Sequence, residues 1–190
     1  SLPVRRPVVF IPDEDKIVKL DVPEVESQFD LSDIRWEKNN NYFTFSFNKR
    51  GSQQFIVYRA DAASGKLQVV VNETSSTFVY YNTLYLYWFE NGKELLWISD
   101  RDGWRHLYLY DVATGKVKKQ LTKGEWVVKT VVNVDEKTRT AILKVCGKDA
   151  GEDPYLEKYY SLNIDNGKLT PLTPENANHN VTFSSDYAYM

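Results

Sequence analysis

The strongest constraint on this chain's fold is a ten-residue phrase that it carries three times. Residues 58–67, YRADAASGKL, recur as YLYDVATGKV at 108–117 and as YSLNIDNGKL at 160–169. In each copy a Tyr stands three positions before an Asp or Asn, and a Gly-Lys pair and an aliphatic residue follow. Gly65, Gly115 and Gly167 are separated by 50 and then 52 residues. A period of this length belongs to repeat architectures, in which each unit buries its apolar face only by stacking on the next.

Each copy reads as a strand end, a turn and a strand start, because Asp or Asn tolerates left-handed dihedrals and glycine adopts them freely. Another strand pair precedes each copy. In the middle unit residues 84–88 run into Asn91-Gly92, a hairpin signal, residues 94–99 follow, Asp100 to Gly103 turns, and residues 104–111 close the pattern. The first unit opens at Trp36, turns at Asn39 to Asn41, and places Phe43, Phe45 and Phe47 on one face of a strand. The third has a longer loop at 147–154. Four short strands per unit is the recipe of a propeller blade. The expected fold is all-β: a partial β-propeller of about three four-stranded antiparallel blades with ragged ends. The expected divisions are an outer-strand remnant of a preceding blade at 1–23, blades at 24–76, 77–126 and 127–176, and the start of a further blade at 177–190.

Composition excludes several classes. The formal net charge of −2 and the lack of a dense Lys/Arg patch argue against a nucleic-acid partner. There is no run of 18 apolar residues, so no membrane span is expected. The 13 Tyr, 9 Phe and 5 Trp suit pleated, half-buried surfaces. The single Cys146 cannot form an intramolecular disulfide and, in an alternating segment, reads as a structural thiol. Both ends read as cut from something longer.

The middle unit makes the reading specific. Residues 96–111, LWISDRDGWRHLYLYD, followed by Gly115-Lys116 and by QLTKGEW at 120–126, closely resemble the propeller of dipeptidyl-peptidase IV-like serine peptidases, in the prolyl oligopeptidase clan. Residues 172–175, LTPE, and 179–189, HNVTFSSDYAY, are similar to the stretch before that propeller hands over to its catalytic domain. The resemblance covers nearly the whole chain, is strongest over 84–126 and is weaker before residue 30. It implies a following α/β-hydrolase domain with a Ser-Asp-His triad, whose serine sits in a Gly-x-Ser-x-Gly elbow. No such elbow occurs here, nor does the adjacent Glu pair with which the family grips a substrate's free amine. No catalytic residue is therefore assigned, no metal site or cofactor is expected, and the substrate-binding residues stay unknown.

Individual side chains follow the same logic. His106 sits in an aromatic strand and reads as structural rather than as an acid-base group. His179 with Ser184, Ser185 and Asp186 superficially suggests a triad, but sequence proximity is not triad geometry. Asp100 to Gly103 reads as a tight turn with both aspartates bonding backbone amides, since an EF-hand calcium loop needs further oxygen ligands. The charged loop 147–154 reads as a solvated connection. In the family, the segment entering the middle blade faces the central cavity; here it offers Phe78, Tyr80 and Tyr81, for which inter-blade packing is the preferred expectation. Asn72-Glu73-Thr74 and Asn180-Val181-Thr182 match the glycosylation acceptor pattern.

The expected function is thus a fragment of a dipeptidyl-peptidase propeller that gates access of a peptide substrate and docks the hydrolase domain of the same parent chain. By resemblance the parent releases N-terminal dipeptides after Pro or Ala, forms a homodimer, and works in a periplasmic or secreted setting. The alternative is a non-enzymatic propeller that binds a protein partner, and a nearer one is a peptidase that cleaves oligopeptides or acylated peptides.

Overall fold

The computed structural model describes residues 4–23, 28–81 and 84–190. The boundary expected at residue 24 and the middle of the aromatic stretch, at 82–83, lie outside them. Three sheets have four strands each: β3 (Gln28–Trp36), β4 (Tyr42–Lys49), β5 (Gln54–Asp61) and β6 (Leu67–Thr74); β7 (Leu86–Trp88), β8 (Glu94–Ser99), β9 (His106–Asp111) and β10 (Lys116–Gln120); β11 (Val127–Asp135), β12 (Thr140–Cys146), β13 (Lys158–Asn163) and β14 (Leu169–Pro171). In each, spatial order follows chain order, an up-and-down meander. A two-stranded sheet, β1 (Val8–Ile11) with β2 (Lys16–Lys19), precedes them, joined by a single 3-10 turn at Pro12–Glu14. Residues 177–190 form turns and coil rather than a strand. The chain forms two compact units: residues 1–97 with 109–119, and 98–108 with 120–190.

The repeated phrase builds the same turn each time. Asp61 Oδ1 accepts from the backbone N–H groups of Ala63 and Ser64 (3.1 and 2.7 Å) and from the Ser64 hydroxyl (2.8 Å). Asp111 accepts from the N–H and hydroxyl of Thr114, both at 2.8 Å. Asn163 accepts from the N–H groups of Asp165 and Asn166. The glycine N–H then returns to the carbonyl of the Asp or Asn at 2.8–2.9 Å. Its left-handed φ is +76°, +65° and +77° in the three copies, a conformation that costs a residue with a Cβ about 1–2 kcal/mol.

Glycine is required at the first two of these turns for a second reason. A Cβ at Gly115 would lie 2.2 Å from the carbonyl oxygen of Val69 in β6, and one at Gly65 would lie 2.3 Å from that of Lys19 in β2. Strand β2 thus meets Gly65 as β6 meets Gly115. Beside these contacts Asp21 donates its N–H to the Gly65 carbonyl at 3.0 Å. Gln68 spans the second one, its Nε2 donating to the carbonyls of Val112 and Ala113.

The core follows from the aromatic alternation. Phe43, Phe45 and Phe47 pack with Val9 and Val18 of the small sheet and with Ile56, Tyr58 and Ala60 of β5. Each buried Phe contributes about 1.5–3 kcal/mol. The other face of β4 is buried as well: Thr44, Ser46 and Asn48 are all under 5% exposed. Strand β8 is likewise buried along its whole length. An ion pair closes the opposite end of β5, where Arg59 Nε and Nη2 hold the Glu37 carboxylate at 2.6 and 3.0 Å.

Candidate functional site

His106 is fully buried at the start of β9. Thr122 Oγ1 accepts the Leu107 N–H at 2.9 Å and lies 3.0 Å from His106 Nδ1. The Gly124 carbonyl can only accept, so Nε2 carries a proton and donates to it at 2.9 Å. The ring stands edge-on to Trp126 with centroids 5.0 Å apart. Both nitrogens are used to pin residues 122–126 to β9.

The triad-like residues are also accounted for. Ser184 Oγ donates directly to Asp186 Oδ1 at 2.6 Å, whereas His179 Nε2 lies 3.8 Å from a Glu175 carboxylate oxygen. A triad needs the imidazole between hydroxyl and carboxylate; here the carboxylate takes the serine itself. At residues 100–103, Asp102 receives the Trp104 N–H (3.2 Å) and the Gln120 side-chain amide (2.6 Å). Asp100 closes that turn with its main-chain carbonyl, which accepts the Gly103 N–H, rather than with its carboxylate. Among the described residues no three His, Cys, Asp or Glu side chains converge to hold a metal ion. Cys146 is half-buried, and burial pushes its thiol up, away from the reactive thiolate.

The charged loop at 147–154 is more than a solvated connection. Lys158, on β13, has a side chain only 4% exposed and reaches Asp149 at 2.9 Å, Glu152 at 2.5 Å and the Pro174 carbonyl at 3.3 Å. Tyr160 donates its hydroxyl to Asp149, and Lys148 lies 4.9 Å from the centre of the Tyr160 ring. Burial alone would raise the Asp149 carboxyl, but the Tyr160 hydroxyl and the Lys158 ammonium outweigh it and hold it below its ordinary value. Next to this latch, Glu157 bonds both Lys129 and Lys144, which lower its carboxyl in turn.

The feature best suited to touch a ligand is the segment before β7. Phe78 and Tyr80 are about half exposed, with ring centroids 6.1 Å apart. This departs from the packed role expected for them. Val79 between them is buried and donates its N–H to the Ser52 carbonyl, and Ser75 Oγ accepts the N–H groups of Thr77 and Phe78. Tyr81 meets Phe29 at 5.9 Å, and the Arg50 guanidinium lies 6.0 Å from the Phe29 ring. Phe29 and Arg50 were not legible as members of this aromatic group, because each comes from a different strand or turn. The arrangement offers ring faces and a cation, groups suited to holding a ligand. The sequon asparagines are exposed: Asn72 lies on β6, where its Oδ1 accepts from Gln54, and Asn180 lies in the segment after β14.

Three antiparallel four-stranded meanders, each clamped by the same Asp/Asn-to-Gly turn, define a partial β-propeller. The family model for the dipeptidyl peptidase IV (DPP IV) N-terminal region matches residues 2–190, and the chain belongs to that family. The probable dipeptidyl peptidase 4 of Neosartorya fischeri is 30% identical over 169 residues, covering 84% of this chain and 21% of that protein. Dipeptidyl peptidase 4 of Arthroderma otae is 39% identical over 102 residues, 52% of this chain and 12% of that protein. The crystal structure of Porphyromonas gingivalis dipeptidyl peptidase 4 superposes with a TM-score of 0.73 at 19% identity, over 95% of this chain and 25% of that one, and so supports the fold. The chain spans about a quarter or less of the length of these relatives.

Proposed function

We propose that this chain is the C-terminal part of the propeller of a dipeptidyl-peptidase IV-like serine exopeptidase. In this reading it walls the active site, gates entry of peptide ends and docks an α/β-hydrolase domain elsewhere in the parent chain. Restricting access is a physical contribution in itself, because it keeps water and folded protein away from a preorganised site. The parent releases N-terminal dipeptides after Pro or Ala, as a secreted or periplasmic homodimer. The chain alone supplies no nucleophile, metal or cofactor. The small sheet β1–β2 is the outer remnant of a preceding blade, blades occupy 24–76, 77–126 and 127–176, and residues 177–190 lead into a further one. The aromatic group at 78–81 contributes to the cavity lining.

The observation that carries this reading is the match to the DPP IV N-terminal region over residues 2–190. The test compares the 190-residue chain with its full-length parent on Gly-Pro-p-nitroanilide. Release of nitroaniline by the parent and none by the chain is expected. A parent that lacks a hydrolase domain and leaves the substrate intact supports the binding-scaffold alternative instead. A chain that cuts on its own refutes the division of labour.

A further inference from the structure

The polar face of β4 ends in an unspent functional group. Along that face Ser46 bonds the hydroxyl and the carbonyl of Ser32, each at 3.2 Å. Asn48, the next residue on the face, is 4% exposed, and neither its side-chain nitrogen nor its oxygen has a hydrogen-bond partner among the described residues. A buried carboxamide in that condition is costly and calls for an explanation such as a bound molecule. Asn48 lines a cavity of about 170 Å³ in the first compact unit, walled chiefly by Phe29, Phe55, Leu86 and Trp97.

Tyr81 and Leu84 complete the wall, and several of its other polar groups are already engaged. Trp97 gives its indole N–H to Glu73 at 2.9 Å, so it offers the cavity only ring surface. Asp30 Oδ1 accepts the Leu31 N–H, and Ser32 is held by Ser46. Asn48, a buried carboxamide with no partner among the described residues, supplies a direction-giving contact, one acceptor beside two donors. The complement of that pattern is another carboxamide, which returns one N–H and one carbonyl in the same plane. Walls of this kind favour a flat apolar body, and the Asp30 carboxylate in the wall disfavours an anion. Water is the competing occupant: the volume holds about five molecules, each needing two to four polar partners, and these walls provide few.

We propose that this cavity binds a neutral small molecule made of a flat apolar ring and a primary carboxamide, with Asn48 pairing to the amide. Benzamide is the probe, titrated against the 190-residue chain by ligand-observed NMR, with acetophenone as the analogue that keeps shape and carbonyl but lacks the N–H donors. Saturable benzamide binding is expected, with acetophenone weaker by at least about tenfold. Asn48→Leu, which keeps the side chain's size, should lower benzamide affinity by a similar factor while the chain stays folded. Equal binding of the two probes by the wild-type chain overturns the proposal, a result that needs no variant to fold. So does absence of saturation up to about 10 mM, or a crystal structure in which ordered water fills the cavity and is not displaced by benzamide.

Discussion

Gly115 and Gly92 form a natural matched pair. Their φ angles are +65° and +67°, so alanine suffers the same backbone strain at either position. They differ in what the new methyl group meets. At Gly92 nothing lies within 4 Å, whereas at Gly115 the Cβ would sit 2.2 Å from the Val69 carbonyl oxygen and 3.4 Å from Val70 Cα. The strain costs about 1–2 kcal/mol, and the unfolded chain's smaller entropy with alanine offsets about 0.4–1 kcal/mol of it. Gly92→Ala should therefore destabilise by about 1 kcal/mol. Gly115→Ala adds a backbone clash that only a shift of the turn away from β6 relieves, which by the usual cost of overpacking is about 1–3 kcal/mol more. The total is about 2–4 kcal/mol, and the excess over Gly92→Ala reports the clamp alone. Urea unfolding of the 190-residue chain, followed by tryptophan fluorescence and far-UV circular dichroism, measures both variants against wild type. Costs that agree within about 0.5 kcal/mol would refute the claim that close approach, in addition to φ, requires glycine at Gly65 and Gly115. Gly65→Ala should behave like Gly115→Ala, since its Cβ would meet the Lys19 carbonyl at 2.3 Å.

Further expectations concern other parts of the chain. His106→Ala removes the two hydrogen bonds of a fully buried ring and leaves a cavity beside Trp126, so it should cost about 2–4 kcal/mol in thermal or urea melts; a near-neutral result would contradict the pinning role. Asp149→Asn weakens the grip on Lys158 and should cost about 1–3 kcal/mol, with faster limited proteolysis within 147–154 as the local readout. Asp149 and Glu157 are both held below their ordinary values in the folded chain. The unfolded chain therefore binds more protons as the solution is acidified through about pH 4, and stability that is complete above that pH falls as pH drops through the folded values. In Asp149→Asn part of that fall should be missing from melting temperatures recorded between about pH 3 and pH 6. Cys146 should react with a thiol reagent at about pH 7.5 at least about tenfold more slowly in the native chain than in urea, because burial disfavours its thiolate; equal rates would show an open thiol.

The repeat carried most of the fold in plain view, because its turns are local chemistry. An Asp or Asn side chain bonding two or three residues ahead, then a left-handed glycine, needs nothing beyond ten neighbouring residues. What stayed hidden depends on distant partners. Thr44, Ser46 and Asn48 alternate with three phenylalanines as a polar face would, yet they are buried, and Asn48 shares its cavity with Leu86 and Trp97, which lie far along the chain. Lys158 reads as one charge among several near a loop, and only the fold turns it inward between Asp149 and Glu152. Residues 177–190 alternate as a strand would, but pairing decides strand formation, and here Ser184 and Asp186 organise a turn instead. The aromatic group at 78–81 could be found as a cluster in the sequence, while its exposure could not.

The clamped turns also divide each meander into two ends with unequal freedom to change. At one end, Gly65 and Gly115 press against a neighbouring strand at a spacing that admits no added atom. At the other, between the second and third strands of a sheet, Gly51 and Gly103 face open space. The third sheet has already lengthened at that same position, where residues 147–157 join β12 to β13 and are tied back by Lys158. New sequence can therefore be grafted at one rim of these sheets without touching the contacts that hold them in register. A designer who wishes to vary what such a domain touches should extend the hairpins there and leave the Gly-Lys turns alone.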